Sequence, residues 1–381
     1  MTDTVDRARK NLKRRDVARD VLAWWDENRR ELPWRARPGE TADPYRVWLS
    51  EILLQQTTAT GAAPYFLDFT RRWPNVHALA AAPMEEIMAA FAGLGYYSRA
   101  RNLHACAKAV AQAGGAFPSD EADLLALPGV GPYTAAAVAA IGFGRPAAPV
   151  DGNIARILSR LFAFETPVAA NRPALDEVAR TLTPIQRAGD YAQALMDIGA
   201  MVCRPHNPDC GRCPLGKACL AARTGEPERF PSRPDKKPRP EKVGAAFYVV
   251  RPNGAFLARR RPPKGLLGST MELPGGAWRV GELSAVDAAE APFAAAWLRL
   301  PGAVEHVFTH FRLQLALFAA EARAAEPPPG HVWIAPDEIG EAGFSGLMRK
   351  AAERAASGWS DRSLRTRCGA SSTRTPSGTR S

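Results

Sequence analysis

The chain has 381 residues, with 50 lysines and arginines against 39 aspartates and glutamates, which gives a formal net charge of +11. This length suits two domains of ordinary size, and no apolar run reaches the roughly 18 residues of a membrane-spanning helix. The basic excess favours a polyanionic partner such as nucleic acid, although many basic proteins bind none. Residues 1–20 are charged and lack the apolar core of a signal peptide, so we expect a cytoplasmic protein in a reducing compartment.

The first half of the chain has the pattern of an all-helical domain. From residue 16 to residue 222, apolar-periodic segments alternate with breaks at proline and glycine. We place this helical domain at residues 1–225.

One of these breaks, LPGVGPYTA at residues 127–135, predicts a tight turn between two helices. Gly129 and Gly131 permit the turn, and Pro132 is suited to the first position of the second helix. Such a hairpin exposes backbone N–H groups that can bind a phosphate. An ordinary connection between two helices is the alternative interpretation.

Four cysteines near the end of the helical domain predict a metal centre. They have the spacing C-x6-C-x2-C-x5-C and are Cys203, Cys210, Cys213 and Cys219. Cysteine ligation suits either a [4Fe-4S] cluster or tetrahedral zinc. A zinc site usually has two short C-x-x-C pairs and this loop has one, so the spacing favours the cluster; disulfides are less favoured in a reducing compartment.

The remainder of the chain predicts a linker, an α+β domain and a tail. Residues 226–243 are rich in proline and basic residues and form the predicted linker. In the domain at 244–356, we expect two strands joined by a turn at 252–254, a longer strand within 306–320, and helices at 285–298 and 347–356. Residues 357–381 are rich in serine, threonine, arginine and glycine, and are predicted to be disordered.

Several motifs together resemble the MutY-type adenine DNA glycosylases of the helix-hairpin-helix (endonuclease III) superfamily. In chain order they are WLSEILLQQT at 48–57, GLGYYSRARNLH at 93–104, the hairpin at 127–135, PVDGNIARI at 149–157, the cysteine loop, MELPGG at 271–276 and FTHF at 308–311. The resemblance covers residues 16–352. It implies a helical glycosylase domain with an iron-sulfur loop followed by a MutT-type (Nudix-like) α+β domain. It also implies excision of adenine mispaired with 8-oxoguanine or guanine, a [4Fe-4S] cluster, and double-stranded DNA as the partner of a monomeric bacterial protein associated with the nucleoid.

Hydrolysis of an N-glycosidic bond requires an acid for the leaving base and a carboxylate that stabilises the cationic sugar. Glu51 and Asp151 are the candidates. Glu51 is followed by three apolar residues, and burial there would raise its pKa so that it can act as the acid. Without the resemblance, Glu51 would equally suit a solvated helix face, and Asp151 would equally suit a helix N-cap.

The resemblance assigns Tyr133 and Asn153 to positions that assist these carboxylates. Related enzymes that also cleave the strand have a lysine at the hairpin position, because an amine is needed to form a Schiff base. Tyr133 cannot form that imine. The expected product is therefore an abasic site in an intact strand.

Other motif residues match family positions that contact DNA. Gln56 and Tyr96 correspond to residues that enter the base stack when adenine is flipped out, and Thr57 and Leu94 lie near the opposing base. Trp34 and Arg35 correspond to residues beside the adenine pocket. A long connection from Arg35 to Pro44 leaves the orientation of this arginine open. Helix capping and core packing are the alternative roles for these residues.

The second domain has an incomplete Nudix motif. Gly276 and Glu282 keep the first spacing, but Glu290 stands where arginine is needed and Ala291 replaces a glutamate. We therefore expect a module that recognises the lesion strand and binds no catalytic magnesium. By resemblance, the recognition loop contains Phe308, Thr309 and His310. A strand-end histidine packed on Phe308 and Phe311 is the alternative for His310.

Two other functions remain open on the sequence. A mismatch thymine glycosylase would share the tyrosine at the hairpin and the acid pair, but the C-terminal domain argues against it. A non-catalytic iron-sulfur DNA-binding protein would not need Glu51 and Asp151.

Overall fold

The computed structural model describes residues 14–94, 98–232, 238–262, 265–322 and 326–360. The chain divides into two compact units, one formed by residues 1–90 and 99–236 and the other by residues 91–98 and 237–381. In the described parts of the chain, no helix is both long and apolar enough to cross a membrane.

The first unit is all-helical, as predicted. Its helices are α1 (Arg14–Asn28), α2 (Pro44–Leu53), α3 (Ala59–Arg72), α4 (Val76–Ala81), α5 (Met84–Ala90), α6 (Ser98–Gln112), α7 (Glu121–Leu125), α8 (Pro132–Ala137), α9 (Gly152–Leu161), α10 (Arg172–Leu182), α11 (Ala188–Met201) and α12 (Leu220–Arg223). One core joins the apolar faces of α1, α9, α10 and α11. In α9 the buried residues Ile154, Ile157, Leu158 and Leu161 recur every three or four positions, the spacing of one helix face.

Close backbone approaches bring α2, α8 and α11 together. Helix α8 continues into a π-helical turn at Val138–Gly142. A Cβ on Gly142 would lie 3.3 Å from Pro44 Cα, and a Cβ on Gly189 would lie 2.5 Å from the Ala140 carbonyl oxygen. The two glycines therefore permit α2 and α11 to approach the π turn closely.

The second unit contains a seven-stranded sheet. Its strands are β1 (Glu241–Val250), β2 (Phe256–Arg260), β3 (Met271–Glu272), β4 (Arg279–Val280), β5 (Leu298–Val307), β6 (Arg312–Glu321) and β7 (His331–Ile334). The order is β3-β2-β1-β6-β5, with β4 paired to β1 and β7 paired to β2. Only β1 and β6 pair in parallel among the described strands. Helix α13 (Gly346–Ser360) buries Leu347, Met348 and Ala351 against this sheet.

Three expectations for the second domain agree with the structure and one is wrong. The β1–β2 turn, a long strand within 306–320 and the final helix are confirmed. Residues 285–298 are not helical: a short 3-10 turn ends at Ala285, and β5 begins at Leu298. Pro292 lies in the middle of this segment, lacks an N–H donor and disfavours helix in the preceding residue. Strand β5 was missed because Pro301 and Gly302 interrupt its alternation, where its pairing with β6 shifts register.

The predicted boundaries also need correction. Phe230 is buried and its carbonyl accepts a hydrogen bond from Arg160 Nε, so the first unit extends beyond residue 225. Strand β1 begins at Glu241, inside the predicted linker 226–243. Helix α13 continues to Ser360, so residues 357–360 are helical where we predicted disorder. Residues 361–381, and 233–237 of the linker, lie outside the described residues.

Candidate active site

Glu51 lies in the last turn of α2 and is 5% exposed. Tyr133 Oη, from the start of α8, donates a hydrogen bond to Glu51 Oε2 at 2.8 Å. Burial raises the pKa of Glu51 to about 7, although the Tyr133 hydrogen bond and the charge of Arg35 act in the opposite direction. The side chain is therefore a carboxyl that can hold a proton near neutral pH.

Asp151 is both the N-cap of α9 and a neighbour of Glu51 in the same cavity. Its Oδ1 accepts the Ile154 N–H at 2.6 Å, and its Oδ2 accepts Asn153 Nδ2 at 2.9 Å. Burial raises the pKa of Asp151, and these hydrogen bonds limit the rise. The N-cap role considered on the sequence is thus real, and it does not exclude chemistry at the second oxygen.

Asn153 is held in turn by Arg156, a residue that the sequence analysis missed. Arg156 Nη2 donates to Asn153 Oδ1 at 2.9 Å and to the Gly199 carbonyl at 2.7 Å, and Arg156 Nε donates to the Cys203 carbonyl at 2.9 Å. Arg156 is four positions after Gly152, and its position in the PVDGNIARI motif was the only signal in the sequence. It connects the candidate aspartate to the cysteine loop.

A cavity of about 540 Å³ brings eight of the predicted site residues together. It is lined by the four predicted catalytic residues and by Trp34, Arg35, Gln56 and Thr57. The lining also includes Gln193 and Met196 of α11, which the sequence analysis did not select. Both lie on α11 about one turn apart, so their spacing alone would also fit a helix face packed on the core.

The structure defines the orientation of Arg35, which the long connection to Pro44 had left open. Its guanidinium forms a two-pronged ion pair with Asp197, with distances of 2.7 and 2.9 Å, and lies 4.8 Å from the Trp25 ring. Arg30 Nε donates to the same carboxylate at 2.7 Å. Burial acts to raise the pKa of Asp197, but Arg35 and Arg30 outweigh it and lower that pKa. Asp197 therefore holds two positive charges at the cavity wall.

The residues predicted to contact DNA fall into different settings. Gln56 is exposed and has a φ of +64°, in a turn between α2 and α3. Gly129 has a φ of +73°, and Gly131 is the N-cap of α8, as the hairpin prediction requires. Leu94 is half-buried, and its N–H donates to the Phe91 carbonyl. Tyr96 lies outside the described residues.

The predicted recognition loop forms the hairpin between β5 and β6. Thr309 and His310 are exposed at its tip, and the Phe308 N–H closes the hairpin on the Phe311 carbonyl at 2.9 Å. Both phenylalanine rings pack on Trp278, with centroids 5.7 and 6.3 Å away. His310 is thus exposed at the tip and is not buried between the two rings.

The carboxylates of the incomplete Nudix motif contact neighbouring side chains of the same domain. Glu290 forms an ion pair with Arg279. A Cβ on Gly276 would collide with the Glu290 carboxylate, so the glycine provides the space for this side chain. Glu282 is exposed and accepts a hydrogen bond from Ser284. Gly276 therefore accommodates an ion pair within the domain at the position of the incomplete motif.

The four cysteines are half-buried and surround one small cavity of about 20 Å³. Within the described ranges, no three histidines, cysteines, aspartates or glutamates are arranged to hold a single metal ion. The buried Arg160 directs Nη1 to Cys203 Sγ at 3.3 Å and to the Arg204 carbonyl at 2.7 Å. Four sulfurs around one cavity, with a guanidinium beside them, suit an anionic thiolate-ligated centre.

Comparisons with known proteins agree with this geometry. Residues 49–180 match the family of HhH-GPD superfamily base excision DNA repair proteins, and residues 245–354 match the NUDIX domain. A thermostable thymine-DNA glycosylase of known structure is similar to 56% of this chain, with 99% of its own length covered, 34% identity and a TM-score of 0.50.

Curated relatives extend the similarity to both units. The human adenine DNA glycosylase is 32% identical over 88% of this chain and 74% of its own length. The adenine DNA glycosylase of Mycolicibacterium smegmatis is 40% identical over 51% of this chain and 66% of its own length. The chain therefore belongs to the MutY-type adenine DNA glycosylases, DNA repair enzymes that combine a helix-hairpin-helix glycosylase unit with a Nudix-like domain.

Proposed function

We propose that this enzyme hydrolyses the N-glycosidic bond of adenine opposite 8-oxoguanine or guanine and leaves an abasic site in an intact strand. The observation that carries the proposal is the pair of differently held carboxyls, Glu51 and Asp151, in one cavity. Glycosidic hydrolysis requires one carboxyl that donates a proton and one that remains ionised.

Glu51 is the proton donor in this proposal. Its pKa of about 7 keeps a large fraction protonated at neutral pH. Tyr133 donates to Oε2, which leaves Oε1 to carry the proton toward the leaving base. An enzyme that must protonate a poor leaving group at neutral pH needs such a carboxyl.

Asp151 is the carboxylate that stabilises the cationic sugar. It accepts the Ile154 N–H and the Asn153 amide, and hydrogen bonds of this kind favour the ionised form. Glu51 accepts one side-chain hydrogen bond, from Tyr133. This difference in hydrogen bonding supports a proton on Glu51 and a negative charge on Asp151.

The product follows from the residue at the hairpin. No lysine is among the described residues that line the cavity, and Tyr133 occupies the hairpin position. Without an amine, no Schiff base forms and the strand is not cleaved by elimination. The proposed enzyme is therefore monofunctional.

We assign base flipping to the turn after α2 together with Leu94 and Tyr96, and lesion recognition to the β5–β6 hairpin. Gln56, with Tyr96, enters the stack that the adenine leaves, and Thr57 and Leu94 lie near the opposing base. Thr309 and His310 reach the 8-oxoguanine from the hairpin tip. We propose that the protein acts on duplex DNA as a monomer, in the bacterial cytoplasm.

The cysteine loop would hold a [4Fe-4S] cluster through Cys203, Cys210, Cys213 and Cys219. Such a cluster would link the four cysteines and so stabilise the loop against α9. Glycosidic hydrolysis transfers no electron, so the cluster has no redox step in the proposed reaction.

The similarity of the helical unit to a thymine-DNA glycosylase supports a second candidate, excision of thymine opposite guanine. The human adenine glycosylase, however, matches across 88% of the chain, including most of the second unit. Single-turnover excision from duplexes with A opposite 8-oxoguanine, A opposite guanine and T opposite guanine tests the two candidates. We expect adenine release, fastest opposite 8-oxoguanine; thymine release alone would overturn the proposal.

A further inference from the structure

The turn that follows α2 places the exposed Gln56 directly beside the active-site cavity. The Thr57 N–H closes this turn on the Leu54 carbonyl at 3.3 Å, and Thr58 caps α3 by accepting the Gly61 N–H at 3.2 Å. Gln56 has a φ of +64°, the left-handed region that glycine and asparagine adopt more readily than glutamine. Something outside the turn must therefore hold the backbone in this conformation.

Arg99, from the first turn of α6, contacts this turn from a distant part of the sequence. Its Nη1 donates to the Ile52 carbonyl at 3.0 Å and to the Gln55 carbonyl at 2.6 Å. Carbonyls at a helix C-terminus lack partners in the helix and attract positive charge. One guanidinium thus binds the Ile52 carbonyl in the last turn of the helix that carries Glu51 and the Gln55 carbonyl in the turn that follows.

The contact with the Gln55 carbonyl acts directly on Gln56. That oxygen belongs to the peptide group between Gln55 and Gln56, and a planar peptide moves as one body. A hydrogen bond to it fixes the peptide plane from which the φ of Gln56 is measured. Without Arg99, the peptide would be free to rotate toward the more favourable right-handed conformation.

We propose that Arg99 is the positioning residue for base extrusion: it holds the Gln55–Gln56 peptide so that the Gln56 side chain can enter the stack as the adenine leaves. This inference rests on the proposed function. Arg99 is not in the lining of the cavity and is not a catalytic residue. Its loss should slow the flipping of a paired adenine and leave bond cleavage of an unpaired adenine nearly unchanged.

The test compares two duplexes under single-turnover conditions with the full-length protein. In one duplex adenine is opposite 8-oxoguanine; in the other it is opposite a tetrahydrofuran abasic analogue, where no pairing resists extrusion. We expect Arg99→Met to reduce the rate on the first duplex by about tenfold or more, the effect of lost charge-assisted hydrogen bonds, and the rate on the second by less than about twofold.

Two further variants make the result specific. Lys108→Met removes one positive charge from an exposed position of the same helix and should affect neither duplex. Arg99→Lys keeps the charge on a shorter side chain, and should show the same substrate dependence with a smaller loss. If thermal unfolding shows that Arg99→Met is not folded, Arg99→Lys provides the test instead.

The outcomes separate the two proposals. If the wild type releases no adenine from either duplex, the proposed function fails. If the wild type is active but the Arg99 variants lose the same factor on both duplexes, Arg99 only stabilises the end of α2 and the positioning role is overturned.

Discussion

The active-site cavity and the β5–β6 hairpin use polar side chains in opposite ways. In the cavity, Glu51 is 5% exposed and is fixed by Tyr133, so its surroundings change its pKa. At the hairpin tip, Thr309 and His310 are exposed above a base of packed aromatic rings. Catalysis requires a group whose pKa the protein has changed, whereas recognition requires an exposed group on a rigid support. Substitutions in the cavity should therefore reduce the rate of excision, whereas substitutions at the hairpin tip should reduce the preference between substrates.

The largest effect is expected from Glu51→Gln. The amide fills the same volume but cannot donate the proton, so excision should fall by about 10²- to 10⁴-fold while mismatch binding persists. Single-turnover kinetics and a binding titration measure the two quantities separately. A rate within about tenfold of wild type would show that another group is the acid.

The same substitution should change how stability depends on pH. Burial raises the pKa of Glu51 from 4.5 to about 7, so the folded state binds this proton more tightly than the unfolded state does. The contribution of this proton to the free energy of unfolding is fully present below about pH 4.5. It is lost as the pH rises through about 7. Glutamine cannot ionise.

Between about pH 5 and about pH 8, the free energy of unfolding of Glu51→Gln should therefore rise relative to wild type by up to about 3 kcal/mol. Urea denaturation of the two proteins at each pH measures this difference. Exposed Glu27→Gln is the matched control and should show no such change. An equal response in both variants would contradict a buried, protonated Glu51.

Removal of the residues after Ser232, which contain the sheet of the second unit, should affect selectivity more than chemistry. A protein that ends at Ser232 keeps Phe230, which covers Arg160, and it retains all four candidate catalytic residues. We expect it to release adenine but to lose about ten- to hundredfold of its preference for 8-oxoguanine over guanine, the effect of hydrogen bonds to the opposing base. Excision from both duplexes provides the ratio; an unchanged ratio would assign recognition to the helical unit.

The smallest effect is expected from Thr309→Ala in the full-length protein. One lost hydrogen bond should reduce the same preference by about tenfold or less. The residue is exposed, so thermal unfolding should not change. Phe308→Ala is the useful contrast, because its ring packs on Trp278 and its loss should also destabilise the second unit. A Thr309→Ala variant that unfolds at a lower temperature than wild type would show that Thr309 stabilises the fold.

The sequence predicted the parts of this molecule that depend on local pattern. The all-helical unit follows from apolar periodicity, and the left-handed Gly129 follows from turn chemistry. The pairing of Glu51 with Tyr133, which are 82 residues apart, came from the family resemblance and not from the pattern.

The sequence did not predict contacts between residues that are far apart in the chain. Asp197 was not selected because a single aspartate within a helix gives no sign that two arginines more than 160 residues away converge on it. The helix predicted at residues 285–298 is absent, because Pro292 and the tertiary structure leave this segment irregular despite its many alanines.

The N-cap position of Asp151 has an evolutionary consequence. One carboxylate both begins α9 and faces the cavity, so most replacements should remove activity and weaken the fold together. Asparagine is the exception, since its amide oxygen is among the best N-cap acceptors but carries no charge. We therefore expect Asp151→Asn to yield a folded protein without activity, and selection that acts on protein abundance alone would not remove such a variant.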